Sequence, residues 1–552
     1  MRPPSIDADT ASARSSAIRQ GNVYGIGLLL VMLLAAAIVL AGVMGYEFLF
    51  WDDNRILLEL QSRNYSPGKI IAWLTNPNVT YLFTPVSVIF FGSLADVFGV
   101  DPLPFHAAGV FLHLLNTFLA YLLILRLFTL LPAQGQKPAF PLLEPLVAAA
   151  AAGLWGMHLL RAEVIGWVAA LPYALSTALA LLAVHAFISS SRTSAPRFWI
   201  WVGLVLYSLS TLAHPQTAAL CVVFLALDYL LTNKELSNNR QVHPSVNYFV
   251  RRHAIFFSVG LLVTLVGIAA RSSSMNFSPM AASYVPAGWY SVVFGELAKL
   301  LGFISDFALF HTWLPRQVSN AYNPYIPKEL FSGSFLASLL SFTAIVFVGI
   351  WRWVVGKKGL LLALSCHIAF CIPAAGLFMP DYSPSDRFTY GLAIIAAVPL
   401  AFALRSFGDF AAKHLGSSVP PNVLSIGLAG ITSMLLVVCL SKLVAVLPNW
   451  KNTHTLMVHV QNTAPSKELY FFAKLRDVDY FRMRGDIPQM KQVLLSFLDA
   501  PRGKESEALI NAIQYLIAQG RCVEAYYLTQ AADAQLVRAY AGHIDTLLRS
   551  CR

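Results

Sequence analysis

Residues 24–46 read YGIGLLLVMLLAAAIVLAGVMGY, and residues 47–55 follow with EFLFWDDNR. The first stretch carries no charged side chain and exceeds the roughly 20 apolar residues that a helix needs to cross a bilayer. It is too long for the apolar segment of a signal peptide, and Val43-Met44-Gly45-Tyr46 lacks a small-x-small cleavage pattern. It therefore reads as a membrane span. It delivers two adjacent acids, Asp52 and Asp53, to the point where the chain leaves the membrane.

The rest of the chain agrees with this beginning. Of 552 residues 57% are hydrophobic and 12% charged, about half the charge that covers a soluble globular surface. That excludes a simple soluble enzyme, a disordered chain and a disulfide-dense secreted scaffold. Eleven apolar stretches predict spans at 24–46, 105–128, 145–160, 169–190, 198–213, 216–232, 254–271, 333–351, 359–378, 388–404 and 423–446. A twelfth, 81–99, is interrupted by Thr84, Pro85, Ser87, Ser93 and Asp96. Placing it along the surface puts every basic loop on the N-terminal side, as the charge rule requires. The net charge of +11 is then a loop property, and no nucleic-acid partner is implied.

The expected topology is N-terminus inside, 1–23 as a cytoplasmic tail, 24–447 as the membrane domain, and long outer loops at 47–104 and 272–332. Residues 448–552 turn polar and predict a small helical domain on the outer face. Tyr480-x4-Gly485 recurs 35 residues later as Tyr515-x4-Gly520, near the period of about 34 of tetratricopeptide helix hairpins. Cys522 and Cys551 in this domain either pair, if it lies outside the cytoplasm, or stay as thiols. The other four cysteines lie in apolar runs and have no metal-binding spacing.

An ionisable residue at membrane depth is costly and marks function. Those of this chain gather at the outer ends of the spans. Asp52-Asp53 follows the first span; one carboxylate can take a proton from a hydroxyl while the other orients the acceptor or holds a cation. His106 and His113 lie on the second span, with Asn116 one turn on. His158, Arg161, Glu163 and Trp167 occupy the turn between spans three and four. His214-Pro215-Gln216-Thr217 turns between spans five and six, and Asp386-Arg387-Phe388-x-Tyr390 opens span ten. Arg161, Arg271 and Arg387 are forked donors suited to a phosphate at the lipid–water boundary. Trp313, within the loop 272–332, belongs to a segment that reads as a gate over the cavity. No Gly-rich nucleotide loop is evident. The pattern predicts group transfer from a lipid phosphate to a hydroxyl-bearing acceptor. No cofactor is expected; Mg²⁺ or Mn²⁺ on Asp52, Asp53 and Asp386 is chemically feasible but not favoured.

These stretches, in this order, resemble the polytopic GT-C glycosyltransferases, most closely the branch with transmembrane and tetratricopeptide-repeat segments, relatives of protein O-mannosyltransferases. Trp51-Asp52-Asp53 resembles the acidic motif of that family's first outer loop, and Thr84–Gly99 its horizontal helix. Phe105-His106 with 112–117 resembles the start of its second span. Met157 to Trp167 resembles its His-Pro-x2-Val-Glu-x-Val-x-Trp stretch, and Asp386-Arg387-Phe388-x-Tyr390 its Glu-Arg-Tyr-x-Tyr stretch. Leu227-Asp228-Tyr229-Leu230 resembles the end of its sixth span, and Trp450 the link to its repeats. The resemblance implies an all-α GT-C-like bundle of about eleven transmembrane helices and a polyprenyl-phosphate monosaccharide donor. It implies Asp52 as general base with Asp53 its partner, Arg387 as ligand of the donor phosphate with Asp386 beside it, and His158 and Glu163 lining the site. His106, Trp167, Tyr390 and Trp313 would line the acceptor side. Three departures stand out: His214-Pro215-Gln216 replaces a Lys-Glu pair, Asp386 is shorter than the family's Glu, and the repeat domain is small. The acceptor is read as protein, with a glycolipid or polysaccharide (as for aminoarabinose transferases) and a non-enzymatic lipid-sugar transporter as the alternatives. Short loops and the lack of an endoplasmic-reticulum retention signal point to a bacterial inner membrane with the active face in the periplasm.

Overall fold

The computed structural model describes residues 26–27, 29–53, 84–131, 143–237, 246–274, 333–355, 358–374, 385–415, 421–463, 467–499 and 505–551. Among them every regular element is a helix, with no strand. Five helices are long and apolar enough to cross a membrane: Pro102–Leu130, Val168–Ser190, Pro215–Thr232, Asp386–His414 and Ile426–Trp450. A sixth span is obtained if Leu143–Gly156 and Leu159–Gly166, bent by 54° at their junction, count as one. The chain is thus a helical, multi-pass membrane protein.

Eleven full spans are not seen among the described residues. Leu29–Gly45, Arg252–Gly267, Leu339–Val354 and Gly359–Ile372 are apolar stretches of 10–17 residues that are not among these spans; the second and third lie within the helices Val246–Ser274 and Gly333–Val354. Pro196–Ala213 is diluted by Arg197, Ser208, Ser210 and Thr211 and is not among the five. The expected surface segment forms the helix Pro85–Phe98, which starts at a proline and is pinned when Ser87 Oγ donates to the Ala213 carbonyl at 2.9 Å. The loop 275–332 and the first outer loop beyond Asp53, up to residue 83, lie outside the described residues.

Polarity is distributed inside out. Phe111, Trp201, Leu262, Phe347, Ile426 and Val437 are each at least 60% exposed, whereas Arg161, Glu163, His113, Asn116 and Asp228 are buried. Only 22% of the apolar window of Ile426–Trp450 is buried. An apolar outer surface on this scale is a lipid-facing surface.

After residue 450 the chain makes two helix hairpins, Lys467–Met483 with Ile487–Leu495 and Glu505–Ala518 with Cys522–Ala531. The repeat in the sequence is the repeat of their turns. Gly485 and Gly520 adopt φ of 72° and 70°. At the first turn Asp486 N–H bonds Phe481 O, and at the second Arg521 N–H bonds Leu516 O. This is the left-handed C-terminal cap that glycine makes at low cost. A separate apolar core including Leu509, Ile513, Leu516, Leu528 and Ile544 holds the hairpins together. Cys522 and Cys551 are joined in a disulfide, Cα–Cα 5.6 Å.

The boundary at 447 is not a break in packing. Leu456, Met457, Val460, Leu469 and Ala473 belong to the core of the membrane bundle. Trp450 stacks on Trp167 at 5.8 Å and 22°, directly over Gly166. A Cβ at position 166 would lie 2.7 Å from the Trp450 Cβ. Gly166→Ala is therefore expected to destabilise the folded chain by about 1–3 kcal/mol through overpacking. Gly542→Ala, where a Cβ meets nothing within 4 Å, should not lower the melting temperature. Equal Tm values for both variants in detergent would show that the Trp450 contact does not constrain residue 166.

Candidate functional site

Three chain segments far apart in sequence meet at one end of the bundle. The first is the break in the third span. His158 has extended backbone and its Nδ1 accepts from Leu160 N–H at 3.3 Å, which starts the turn Leu159–Arg161. The helix Ala162–Gly166 then presents Glu163 inward. The second segment is the turn Asp386–Phe388, which heads the helix Thr389–Leu415. The third is residues 46–53.

Glu163 joins the first two. It is 2% exposed. Its Oε2 accepts from the Arg387 backbone N–H at 2.9 Å, and its Oε1 forms an ion pair with the Arg387 guanidinium. The same guanidinium lies over the Trp167 ring at 5.1 Å and the Phe388 ring at 4.9 Å. Behind it, Gln216 Nε2 donates to the Phe388 carbonyl at 2.7 Å. His214 Nδ1 caps Gln216 N–H, and its ring packs on Tyr173 at 4.0 Å. Burial, and then the Arg387 charge, push the His214 imidazole down to about 3, so it is a neutral acceptor.

Tyr390 is part of a buried network below this turn. Its hydroxyl meets His113 Nδ1 at 2.9 Å and accepts from Asn116 Nδ2 at 3.3 Å, and its carbonyl accepts from Trp155 Nε1 at 3.0 Å. His113 Nε2 lies 2.8 Å from the Gly156 carbonyl. His113 and Tyr390 therefore fix the helix head from beneath. His106, at the start of Pro102–Leu130, is buried edge-on to Tyr46, at 6.1 Å.

Arg161 is a buried cation with spare donors. It is 1% exposed and lies between the Trp155 and Tyr390 rings, at 5.6 and 5.5 Å. Nη2 donates to Thr389 Oγ1 at 3.2 Å, while Nε and Nη1 have no hydrogen-bond partner among the described residues. On the adjoining turn Ser385 Oγ is also buried without one, as is Trp167 Nε1. Leaving such donors unmet is costly, by about 1–3 kcal/mol each and more for a charged group. Several beside one turn describe a cradle for an oxyanion. Asp386, 3% exposed, is close enough for its charge to act on Arg161 and Glu163.

The two acids after the first span differ sharply. Asp52 is exposed, while Asp53 is 1% exposed. Asp53 Oδ2 accepts from Leu49 N–H and Oδ1 from Ala169 N–H, each at 2.8 Å. The Trp167 indole approaches the same carboxylate without closing a hydrogen bond of ordinary geometry. Asp53 is thus a clamp that holds the first outer loop to the third-span break, and the geometry gives it positioning work. Arg271 lies near the end of the Val246–Ser274 helix; its side chain and the whole of Trp313 lie outside the described residues.

Thr389 and Trp155 were not singled out by the sequence as site residues, and Ser385 stood out only as a member of the polar stretch 380–390 that opens span ten. Each is a common residue type, and only the turn at 385–389 brings it to Arg161 or Tyr390. Among the described residues no group of three or more His, Cys, Asp or Glu is placed to hold a metal ion. No family model, curated protein or solved structure matches this chain.

Burial raises the Asp53 carboxyl from 3.8 to about 7, against the two backbone donors that favour its charge and with Asp52 adding to the rise. Between those values the folded chain keeps a proton that the unfolded chain has released, so rising pH favours unfolding. The melting temperature should fall as pH rises from about 4 to about 7 and level off above, and Asp53→Asn should remove that part of the slope. A slope of equal size in wild type and Asp53→Asn would refute a buried, proton-retaining Asp53.

Proposed function

We propose that this protein is a GT-C-type glycosyltransferase that moves a monosaccharide from a polyprenyl-phosphate donor to an acceptor hydroxyl at the outer face of the membrane. The observation that carries the reading is the exposed carboxylate of Asp52, next in sequence to a clamp on the third-span break. That break holds Arg161 and Glu163, and the buried, unmet donors of Arg161 and Ser385 lie at it. A base and an anion cradle are then held by one rigid junction.

In this reaction the Asp52 carboxylate takes the proton of the acceptor hydroxyl as its oxygen bonds to the anomeric carbon. The bond from that carbon to the phosphate oxygen breaks, and its electron pair leaves with the lipid phosphate. Arg161, with Ser385, meets the charge that develops on that oxygen. Arg387, tied to Glu163, keeps one edge near the Trp167 ring and contributes a weaker field. Asp53 orients Asp52 through the backbone. His158, His214 and Tyr390 build the walls, and His106 supports the loop at Tyr46. Asp52, Asp53 and Asp386 could accept Mg²⁺ or Mn²⁺, but no step requires it.

We assign residues 47–104, 272–332 and 448–552 to the outer face of a bacterial inner membrane. The Cys522–Cys551 disulfide supports an oxidising compartment for the C-terminal hairpins. The shortness of the hairpin array favours a docking role for it, and the acceptor is a protein or a glycan.

The test is mass spectrometry of outer-face proteins and glycolipids from cells expressing wild type or Asp52→Asn at matched levels. A sugar-sized mass on a protein, reduced at least about 10²-fold by Asp52→Asn, is the expected result. The same mass on a glycolipid would make the acceptor lipid. An unchanged pattern in both pools would remove Asp52 as the base and favour a transporter.

A further inference from the structure

The helix Thr453–Thr463 carries two histidines with opposite circumstances. Thr453, Leu456, Met457 and Val460 form its buried face. At 100° per residue, His454 and His459 fall on opposite flanks of that face. His454 is committed: its Nδ1 lies 2.9 and 3.0 Å from the two oxygens of Asp477, a residue that is 1% exposed. His459 is not. Its Nε2 is a buried atom with no hydrogen-bond partner among the described residues.

The helix is seated on the site. Phe50 N–H donates to Thr453 Oγ1 at 2.7 Å, two residues before Asp52. Trp450, at its base, stacks on the Trp167 ring that underlies Arg387. The other charged groups on the elements packed around it are Glu47, Asp52 and Asp53, the Glu163–Arg387 pair, Asp386, Lys451, and Lys474, Arg476, Asp477, Asp479 and Arg482 on Lys467–Met483. Of these, Asp386 is the one whose charge acts on His459; burial holds the imidazole below its ordinary value against that pull.

We propose that His459 is a further ligand of the anion, its Nε2–H donating to the bound phosphate beside Arg161 and Ser385, so that the C-terminal segment is a wall of the donor site and not only a docking module. This rests on the anion cradle of the proposed function. A neutral imidazole fits this role, since it can be desolvated without an ion's penalty and still donate one hydrogen bond. An arriving anion raises its proton affinity, so binding should take up a proton as pH falls.

The probe is farnesyl methyl phosphate, a diester with one fixed charge and no proton that titrates near neutrality. Its dissociation constant is measured on the full-length protein in detergent for wild type, Arg161→Gln, His459→Phe and His459→Gln, between about pH 5 and pH 8. The expected results are tight binding by wild type that strengthens towards low pH, and loss of binding in Arg161→Gln. His459→Phe should bind about tenfold more weakly. His459→Gln, which keeps an N–H donor but cannot titrate, should recover most of the affinity with a shallower pH profile than wild type, the remaining slope being that of Asp53. Failure of wild type to bind would overturn the anion cradle itself. Binding that depends on Arg161 but keeps its strength in His459→Phe and its pH slope in His459→Gln would overturn only the role of His459. If His459→Phe fails to fold, the pH slope of His459→Gln decides alone.

Discussion

The two-point grip of Glu163 on Arg387 is the contact on which the arrangement of this protein turns. A carboxylate buried alone would take up a proton, and a lone buried guanidinium would be driven out towards water. Held together, they lock the broken end of the third span to the head of the helix that begins at Thr389. Because Glu163 grips the backbone N–H as well as the side chain, it fixes the whole turn Ser385–Thr389. That turn is what sets Thr389 and Ser385 beside Arg161. With Arg387 satisfied in this way, Arg161, two residues before Glu163, is a cation of this junction with donors that meet no partner among the described residues.

Ionic groups also occur at the opposite ends of the same helices, and two of them, Asp228 and Arg405, face opposite charges. Asp228 accepts from His253 at 3.0 Å and faces Arg252 at 3.4 Å. Arg405 reaches Glu144 at 2.7 Å, tying the two helices whose other ends carry the site. Those pairs read as bolts. Arg161 is as deeply buried as Arg405, yet it has a hydroxyl where Arg405 has a carboxylate. Nε and Nη1 of both lack a hydrogen-bond partner among the described residues, so the contrast between them lies in the ion pair alone.

Much of the site was legible in the chain because its parts are locally encoded. The break at 156–167 is announced by Gly156, His158 and Gly166, and the paired cap glycines by their shared spacing from tyrosine. The convergence of 52–53, 158–167, 214–216 and 386–390 follows from hydrophobic spans of similar length that end together. What was not legible depends on contacts across long separations. Nothing local distinguishes Asp53 from Asp52; only Ala169, 116 residues on, makes one of them a clamp. His459 sits in an ordinary polar helix, and its neighbours are assigned by the stacking of Trp450. Among the described residues five or six helices are long and apolar enough to cross, against the eleven expected: an apolar run fixes composition, whereas the third span bends by 54° and Pro196–Ala213 is diluted by polar residues.

The latch between the two ends of the chain has a consequence for how the protein is made. Glu47 receives Arg484 at 2.6 Å and Tyr480 at 3.1 Å, and its own N–H bonds the Lys451 carbonyl at 2.9 Å. Residues separated by more than four hundred positions thus close around the acidic loop. Synthesis, at about 5–20 residues per second, delivers the first span long before its partner exists. Until residue 484 has emerged, the loop bearing Asp52 is held by the Asp53 clamp on Ala169 and lacks its second seat. A nascent or truncated chain would carry every span and only part of the seat of its acidic loop, so that seat is completed as a single late event, after the last span has been made.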